Sequence, residues 1–255
     1  MRGIKLVLAL TMALVVVGCE TKNSSVPGGK VSKHEAYSRL GFEYLQSGDT
    51  ANAKSSFLRS IESDSGYAEA HNGIALAFQL EGDDQLAEQY FRKATALAPS
   101  SAMMHNNFGA FLFSKQRYQE ACNELARATE DPFYSRRAQA FENLGRCYRL
   151  LQRDDAAKHA FKRSLQVSAN RPVALVELSE ISLQENNLLE SEKYFDRFLT
   201  MVEDRRVEHY AKSLWLGIRL AREEGNATRA ATYALILKNL YPESEEYREY
   251  KESAR

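Results

Sequence analysis

The most regular feature of the chain is an alternation of apolar and polar residues at helical spacing, interrupted by short polar turns. Residues 69–80 and 85–97 each place apolar side chains on one face of a helix of about a dozen residues. Gly82 between them suits the left-handed turn that ends a first helix. Asp83 or Asp84 can then cap the second helix. The pattern predicts two amphipathic helices joined by a tight turn.

This helix–turn–helix unit recurs every 34 residues, with one slip of two residues. Two small positions and one apolar position return in register: Gly41, Ala75, Gly109, Gly145 and Ser179; Ala53, Ala87, Ala121, Ala157 and Ser191; Phe57, Phe91, Leu125, Phe161 and Phe195. The period resembles that of the tetratricopeptide repeat (TPR), and the resemblance covers residues 33–203. It implies an all-α solenoid of about six units, because one pair must stack on its neighbours to bury its apolar face.

The repeat domain is predicted to span residues 33–243 and to be followed by a charged capping segment, 244–255. Its six units are predicted at residues 34–67, 68–101, 102–137, 138–171, 172–209 and 210–243. After Ala128 the period slips by two residues, within the stretch Thr-Glu-Asp-Pro-Phe-Tyr-Ser. Two interpretations stay open: a reshaped loop that a partner recognises, or a surface insertion that the fold tolerates.

Residues 1–18 have the features of a bacterial export signal. Arg2 and Lys5 flank the start of an apolar run, 6–17, that is too short to span a bilayer alone. The run leads into Val-Val-Gly-Cys, which resembles the lipobox of bacterial lipoproteins. That resemblance implies cleavage before Cys19 and attachment of fatty acyl chains such as palmitate to it. The alternative is an ordinary cleaved signal peptide with an incidental cysteine.

Residues 19–32 are predicted to form the lipidated N-terminus and a flexible tether, since they are polar and contain Ser, Pro and Gly. Glu20 follows the cysteine in place of Asp, the usual inner-membrane retention residue. We therefore expect an outer-membrane anchor with the repeat domain facing the periplasm. Export also places the domain in an oxidising compartment.

Two cysteines remain after the predicted lipidation site, and they lie on helices that should be neighbours. Cys122 belongs to the second helix of the third unit and Cys147 to the first helix of the fourth. They can form a disulfide if their Cα atoms approach within about 7 Å. The export signal favours the disulfide, and two small buried side chains are the alternative.

Charge and motif content argue against several classes of function. The chain has 34 basic and 34 acidic side chains, so it lacks the basic excess of a nucleic-acid-binding protein. It contains no phosphate-binding Gly-rich loop, Gly-x-Ser-x-Gly elbow or His-Glu-x-x-His motif. His71 and His105 lie one period apart, which indicates packing rather than metal binding. We therefore expect no enzyme activity, catalytic residue, metal, cofactor or small-molecule substrate.

The first helices of stacked units are expected to line a concave surface, whose exposed positions are the natural site for a peptide or a partner helix. The predicted groove residues are Phe42, Leu45, Asn72, Leu76, Asn106, Phe113, Glu142, Arg146 and Arg149. The early part of this surface is apolar and the fourth unit is basic. An exposed apolar groove is typical of a protein-binding site.

The lipobox-like sequence, the short tether and the six TPR units resemble the PilF/PilW family of type IV pilus biogenesis lipoproteins. The run Tyr-Pro-Glu-Ser at 241–244 and the cysteine pair add to the resemblance. The family implies a pilotin, which binds secretin subunits and promotes their outer-membrane localisation and multimerisation. Two alternatives stay open: a TPR lipoprotein of the outer-membrane protein assembly machinery, or an adaptor for cell-wall hydrolases or synthases.

Overall fold

The computed structural model describes residues 31–253, and all regular secondary structure within them is α-helical. The predicted signal peptide, Cys19 and most of the predicted tether lie outside the described residues. The helices are α1 (Lys33–Gln46), α2 (Thr50–Ser63), α3 (Ala68–Glu81), α4 (Asp84–Leu97), α5 (Ala102–Ser114), α6 (Tyr118–Ala128), α7 (Arg137–Leu150), α8 (Asp154–Val167), α9 (Pro172–Gln184), α10 (Leu188–Glu203), α11 (Ala211–Glu223), α12 (Ala227–Leu240) and α13 (Glu245–Ser253). None of these helices has the length and apolarity needed to cross a bilayer.

The helices pack as consecutive pairs, α1 with α2 through α11 with α12, and each pair stacks on the next. The first helices also contact one another in the steps α1–α3, α3–α5, α5–α7 and α9–α11. They therefore share one layer of the stack, and the second helices lie behind them. This architecture confirms the predicted all-α TPR solenoid.

The turn inside each pair requires one residue in the left-handed region. Gly82 takes this role after α3, at φ 79°, and the carboxylate of Asp83 accepts a hydrogen bond from the Leu86 amide at 3.0 Å. The structure therefore selects Asp83, rather than Asp84, as the cap of α4. The residues at positive φ in the other turns are Gly48, Gln116, Gln152, Asn186 and Gly225.

The repeated small and aromatic positions form the core of each pair. Phe57 and Phe161 of the second helices are fully buried against Gly41 and Gly145 of the first helices. A Cβ atom on either glycine would lie 2.6 Å from the facing ring. The absent side chain thus lets the ring approach the partner backbone, and burial of each ring contributes about 1.5–3 kcal/mol.

The fifth pair replaces the usual small residues with Ser179 and Ser191, both fully buried. The Ser179 hydroxyl donates to the Ser191 carbonyl at 2.9 Å, and the Ser191 hydroxyl donates to the Ser179 carbonyl at 2.7 Å. The reciprocal bonds satisfy both hydroxyls and offset the cost of removing them from water, so this pair keeps the close approach of the other units.

The period slip falls in the connection between α6 and α7, residues 129–136. Asp131 accepts a hydrogen bond from the Phe133 amide at 2.8 Å, which fixes a local turn beside Pro132. Phe133 is 92% exposed, whereas the neighbouring Tyr134 is half-buried. Single exposed apolar residues are common on protein surfaces. The exposure of Phe133 therefore does not distinguish a loop that a partner recognises from a tolerated surface insertion.

The last helix, α13, packs against α11 and α12 at the end of the stack. Tyr247 and Tyr250 contact the cluster around Trp215, and the Trp215 and Tyr250 rings meet edge to face at 6.3 Å. The remaining surface of α13 is polar, as a cap that borders solvent requires.

Candidate partner-binding groove

Four apolar side chains of the predicted groove keep part of their surface exposed on the layer of first helices. They are Phe42, Leu45, Leu76 and Phe113. The Phe42 ring meets the buried Phe57 ring edge to face at 4.9 Å, and the Phe113 ring meets Tyr118 in the same way at 5.4 Å. The groove side chains are therefore held in place by the core beneath them and present a pre-formed apolar surface.

Two predicted groove residues are not available to a partner, which corrects the expected exposure of Asn72 and Asn106. Asn72 is 1% exposed and Asn106 is 8% exposed. The Oδ1 atom of Asn72 accepts a hydrogen bond from Asn107 at 3.1 Å, and that of Asn106 accepts one from Asn143 at 3.4 Å. Each bond joins the first helix of one unit to that of the next, so these amides hold the layer together.

Glu142 was also expected to be exposed, and this too is corrected: it is only 5% exposed. Its carboxylate pairs with the Arg171 guanidinium and accepts a hydrogen bond from the Ala174 amide at 3.0 Å. A carboxylate between α7 and the start of α9 therefore serves as a link between the fourth and fifth units.

Two further buried carboxylates, which the sequence analysis missed, continue this arrangement on α9. Glu177 accepts a hydrogen bond from Lys212 at 2.7 Å, and Glu180 accepts one from Arg219 at 2.7 Å. Both cations belong to α11, the next first helix. The sequence does contain a signal for them: the two Glu residues lie three positions apart inside the apolar run of α9. A carboxylate buried in such a run requires a partner.

The two arginines of the predicted basic part differ in their contacts. Arg149 pairs with Asp154 at 2.6 Å and lies 3.8 Å from Glu177. Arg146 is exposed, its guanidinium lies 5.4 Å from the centre of the Phe113 ring, and it forms no ion pair within residues 31–253. Arg146 therefore retains its charge for a partner, whereas the charge of Arg149 is already compensated.

The two periodic histidines are buried and pack as predicted, but their surroundings differ. His105 Nδ1 lies 2.6 Å from Glu124 Oε2, and the hydrogen bond with this carboxylate raises the pKa of His105. His71 Nε2 lies 3.0 Å from the Ser65 carbonyl, and burial lowers the pKa of His71. Between residues 31 and 253, no group of three or more His, Cys, Asp or Glu side chains is arranged to hold a metal ion.

Cys122 of α6 and Cys147 of α7 form a disulfide in the structure, with their Cα atoms 5.7 Å apart. The bond joins the third unit to the fourth at the step where the period slips. Both side chains are buried in the central core cluster. The covalent link therefore fixes the position of α7, which carries Arg146, relative to the preceding pair.

Comparison with known proteins identifies the family. Tetratricopeptide-repeat models match residues 39–102 and 138–171. The type IV pilus assembly protein PilF of Pseudomonas aeruginosa is 34% identical over 252 residues, which cover 97% of this chain and 98% of that protein. The chain belongs to the PilF/PilW family. It is therefore a TPR protein of type IV pilus biogenesis, and the predicted family resemblance is confirmed.

Solved structures of the family agree in fold over most of the chain. A structure of Pseudomonas aeruginosa PilF has a TM-score of 0.78 at 36% identity and covers 87% of this chain and 97% of that chain. A structure of PilW, described as a widely conserved type IV pilus biogenesis factor, has a TM-score of 0.70 at 28% identity. It covers 88% of this chain and 99% of that chain. The similarity thus extends over the whole stack of repeats.

Proposed function

We propose that this PilF/PilW family member is a pilotin, an outer-membrane lipoprotein that binds type IV pilus secretin subunits and promotes their localisation and multimerisation. The observation that carries the proposal is the relationship to PilF, which covers 97% of this chain and 98% of that protein. TPR units alone occur in proteins of many functions. A match of the complete chain is therefore stronger support for a shared role than a match of the repeats.

The groove supplies the binding surface in this proposal. Phe42, Leu45 and Leu76 stand partly exposed on the first helices of the first two units. Apolar side chains of a secretin segment lose contact with water when they pack there, at about 25 cal/mol per Å² of apolar surface removed from water. The protein acts by binding alone, as a scaffold and not as an enzyme.

The predicted lipid at Cys19 supplies the membrane address. Several acyl chains on one residue anchor a protein firmly, whereas a single chain binds only marginally. The tether at 19–32 would allow the repeat domain to reach secretin subunits in the periplasm. Anchor and groove are then separate functions, and each can be removed without the other.

The deciding experiment follows the pilus secretin in a deletion strain of the source bacterium, by membrane fractionation and native gel electrophoresis. The proposal requires secretin monomers that are mislocalised or degraded. Normal secretin multimers in the outer membrane would remove it. Loss of porin assembly in that strain would point to the outer-membrane assembly machinery, and a cell-wall defect with intact pili would point to a cell-wall adaptor.

Two complementing variants separate the anchor from the groove. Cys19→Ala should retain secretin binding in extracts but fail to deliver secretin to the outer membrane. Leu76→Glu should remain in the membrane but lose binding, because it places a carboxylate among the apolar groove residues. Leu58→Glu is the matched control, since Leu58 is exposed on a second helix and lies outside the groove. Unfolding curves of both Glu variants verify that they fold.

A further inference from the structure

At one repeated position of the groove, the side chain becomes smaller in the third unit. Phe42, Leu76 and Ala110 follow one another at intervals of 34 residues on α1, α3 and α5. The first two present a large, half-buried apolar side chain, whereas Ala110 is exposed and presents only a methyl group. The groove therefore lacks side-chain volume at this point of the third unit.

The buried aromatic position of the second helices also carries a smaller side chain in the same unit. Phe57, Phe91, Phe161 and Phe195 fill the second-helix slot of the first, second, fourth and fifth pairs, and Leu125 fills it in the third. A Cβ atom on Gly109 would lie 2.7 Å from Leu125 Cγ, so this leucine occupies the same site against the first helix. Leucine has three fewer heavy atoms than phenylalanine in its side chain, so the unit lacks volume beneath the groove as well as within it.

A pocket of about 120 Å³ lies between these two smaller side chains, Ala110 and Leu125. Ala110 and Phe113 of α5 form one side, Asn143 and Arg146 of α7 form the other, and Leu125 of α6 lies at the base. Because α5 and α7 are both first helices in contact with each other, the pocket belongs to the groove layer. Its walls are mainly apolar, and its rim carries the exposed guanidinium of Arg146.

Further along the groove layer, ion pairs join neighbouring first helices. Between α9 and α11, Glu177 pairs with Lys212 and Glu180 with Arg219. Arg146 lies beside the pocket with no acidic partner in the part of the chain that the structure describes. The step from α5 to α7 thus combines unfilled apolar volume with an uncompensated positive charge.

We infer that this pocket is the anchor site of the groove and receives one aliphatic side chain of the secretin segment, with a neighbouring carboxylate of that segment bound to Arg146. The inference rests on the proposed function and specifies its binding chemistry. The incoming side chain replaces the volume that Phe42 and Leu76 supply in their own units. A pocket of this size is smaller than the roughly 150 Å³ apolar cavity that accepts benzene, so it suits Leu, Ile, Val or Met. The free guanidinium selects an acidic neighbour.

The test measures the affinity of the purified full-length protein for the purified, detergent-solubilised secretin subunit of the same bacterium. Ala110→Leu fills the pocket with the residue that stands at Leu76 one unit earlier, and it lies at an exposed helical position where the fold tolerates it. Ala96→Leu is the matched control, because Ala96 is also exposed but lies on the second helix α4. Arg146→Glu reverses the charge at the rim. Thermal unfolding of each variant checks the fold.

The proposal requires Ala110→Leu and Arg146→Glu each to weaken binding by about tenfold or more, equivalent to about 1.4 kcal/mol. Ala96→Leu should bind as the wild type does. The effect of Arg146→Glu should also diminish at high salt, because it acts through an exposed charge. Wild-type affinity in folded Ala110→Leu would overturn the anchor site. If Leu76→Glu still abolished binding in that case, the proposed function would stand without this pocket.

A wild-type protein that does not bind the secretin subunit would overturn both proposals together. A photo-crosslinker placed at the exposed Ser114, about one helical turn after Ala110 on α5, gives an independent readout of the partner segment. The crosslinked secretin peptide should contain Leu, Ile, Val or Met within two residues of Asp or Glu. A crosslinked segment with no acidic residue near an aliphatic one would overturn the assignment of the carboxylate to Arg146.

Discussion

The Nδ1 atom of His105 lies 2.6 Å from Oε2 of Glu124, inside the third helix pair. The other ring nitrogen, Nε2, lies 2.9 Å from the Pro99 carbonyl. Both nitrogens therefore face acceptors, and only the doubly protonated imidazolium can donate to both. The hydrogen bond with Glu124 is the main reason that the pKa of His105 is raised, while burial opposes the shift.

His105→Gln should lower the free energy of unfolding most at low pH. A raised folded-state pKa stabilises the fold fully below the unfolded value of about 6.5, and this contribution is lost as pH rises through the folded pKa. Chemical denaturation at a series of pH values from 5 to 9 measures the difference from wild type. We expect about 1.5–3 kcal/mol at the acidic end, typical of a charged hydrogen bond, and less at the alkaline end.

His71→Gln provides the control of opposite sign. Burial lowers the pKa of His71, so its neutral form belongs to the fold. Its contribution is present above the unfolded pKa and is lost as pH falls through the folded pKa. Equal pH dependence in the two variants would show that the Glu124 contact does not set the behaviour of His105.

Reduction of the Cys122–Cys147 disulfide should destabilise the domain. The bond joins residues 25 positions apart and so restricts the unfolded chain. Loss of this restriction should lower the free energy of unfolding by about 3 kcal/mol. Denaturant unfolding with and without dithiothreitol measures the effect. The double variant Cys122→Ser/Cys147→Ser should not respond to the reductant. Two alkylatable thiols in the non-reduced protein would contradict the presence of the bond.

Gly145→Ala should destabilise the fold although Ala favours helix by about 1 kcal/mol. The new Cβ would lie 2.6 Å from the Phe161 ring, which must shift within a packed core. We expect a net loss of about 1–2 kcal/mol in unfolding free energy. Combination with Phe161→Leu should cost less than the sum of the single changes, because the smaller side chain relieves the contact.

Gly225→Ala separates this steric effect from the backbone effect of replacing a glycine. Gly225 has φ 70°, and no atom lies within 4 Å of a Cβ built on it. Its substitution should cost about 1 kcal/mol through the left-handed backbone alone. Its cost should simply add to that of Phe161→Leu, and a non-additive result there would argue against the steric explanation for Gly145.

The fold was predictable because successive units place residues of similar size at the same packing positions. Gly41 and Phe57 already show that a bare backbone faces a ring, and the 34-residue period repeats this contact along the chain. The turns at Gln116 and Gln152 were less visible. They adopt the left-handed region without the glycine that marks it at Gly82, because the packed helices on either side impose the geometry.

The groove was predictable in position but not in detail. Periodicity placed Asn72 and Asn106 on the first helices, but one helix pattern does not reveal that Asn107 and Asn143 of the following units bind them. The Oδ1 atoms of both amides accept hydrogen bonds only through the contact between successive units. The reduction to Ala110 was visible in the sequence, but the volume that it opens depends on packing between three helices.

The ion pair of Lys212 with Glu177 yields an asymmetric prediction. The Glu177 side chain is 10% exposed and that of Lys212 is 30% exposed. Lys212→Met leaves a nearly buried carboxylate with only Arg149, at 3.8 Å, as compensation. Glu177→Gln instead leaves an ammonium group that can reach solvent or Glu180, which lies 3.9 Å away. The loss of the cation should therefore cost more than the loss of the anion.

We expect Lys212→Met to lower the unfolding free energy by about 1–3 kcal/mol, the cost of leaving a buried polar group unsatisfied. Glu177→Gln should cost less, and the double variant should cost less than Lys212→Met alone, because it leaves no uncompensated carboxylate. Urea denaturation of the four proteins at pH 7 measures all three differences. An equal loss in the two single variants would mean that solvent already screens Glu177, and that the buried carboxylates of α9 do not depend on the cations of α11.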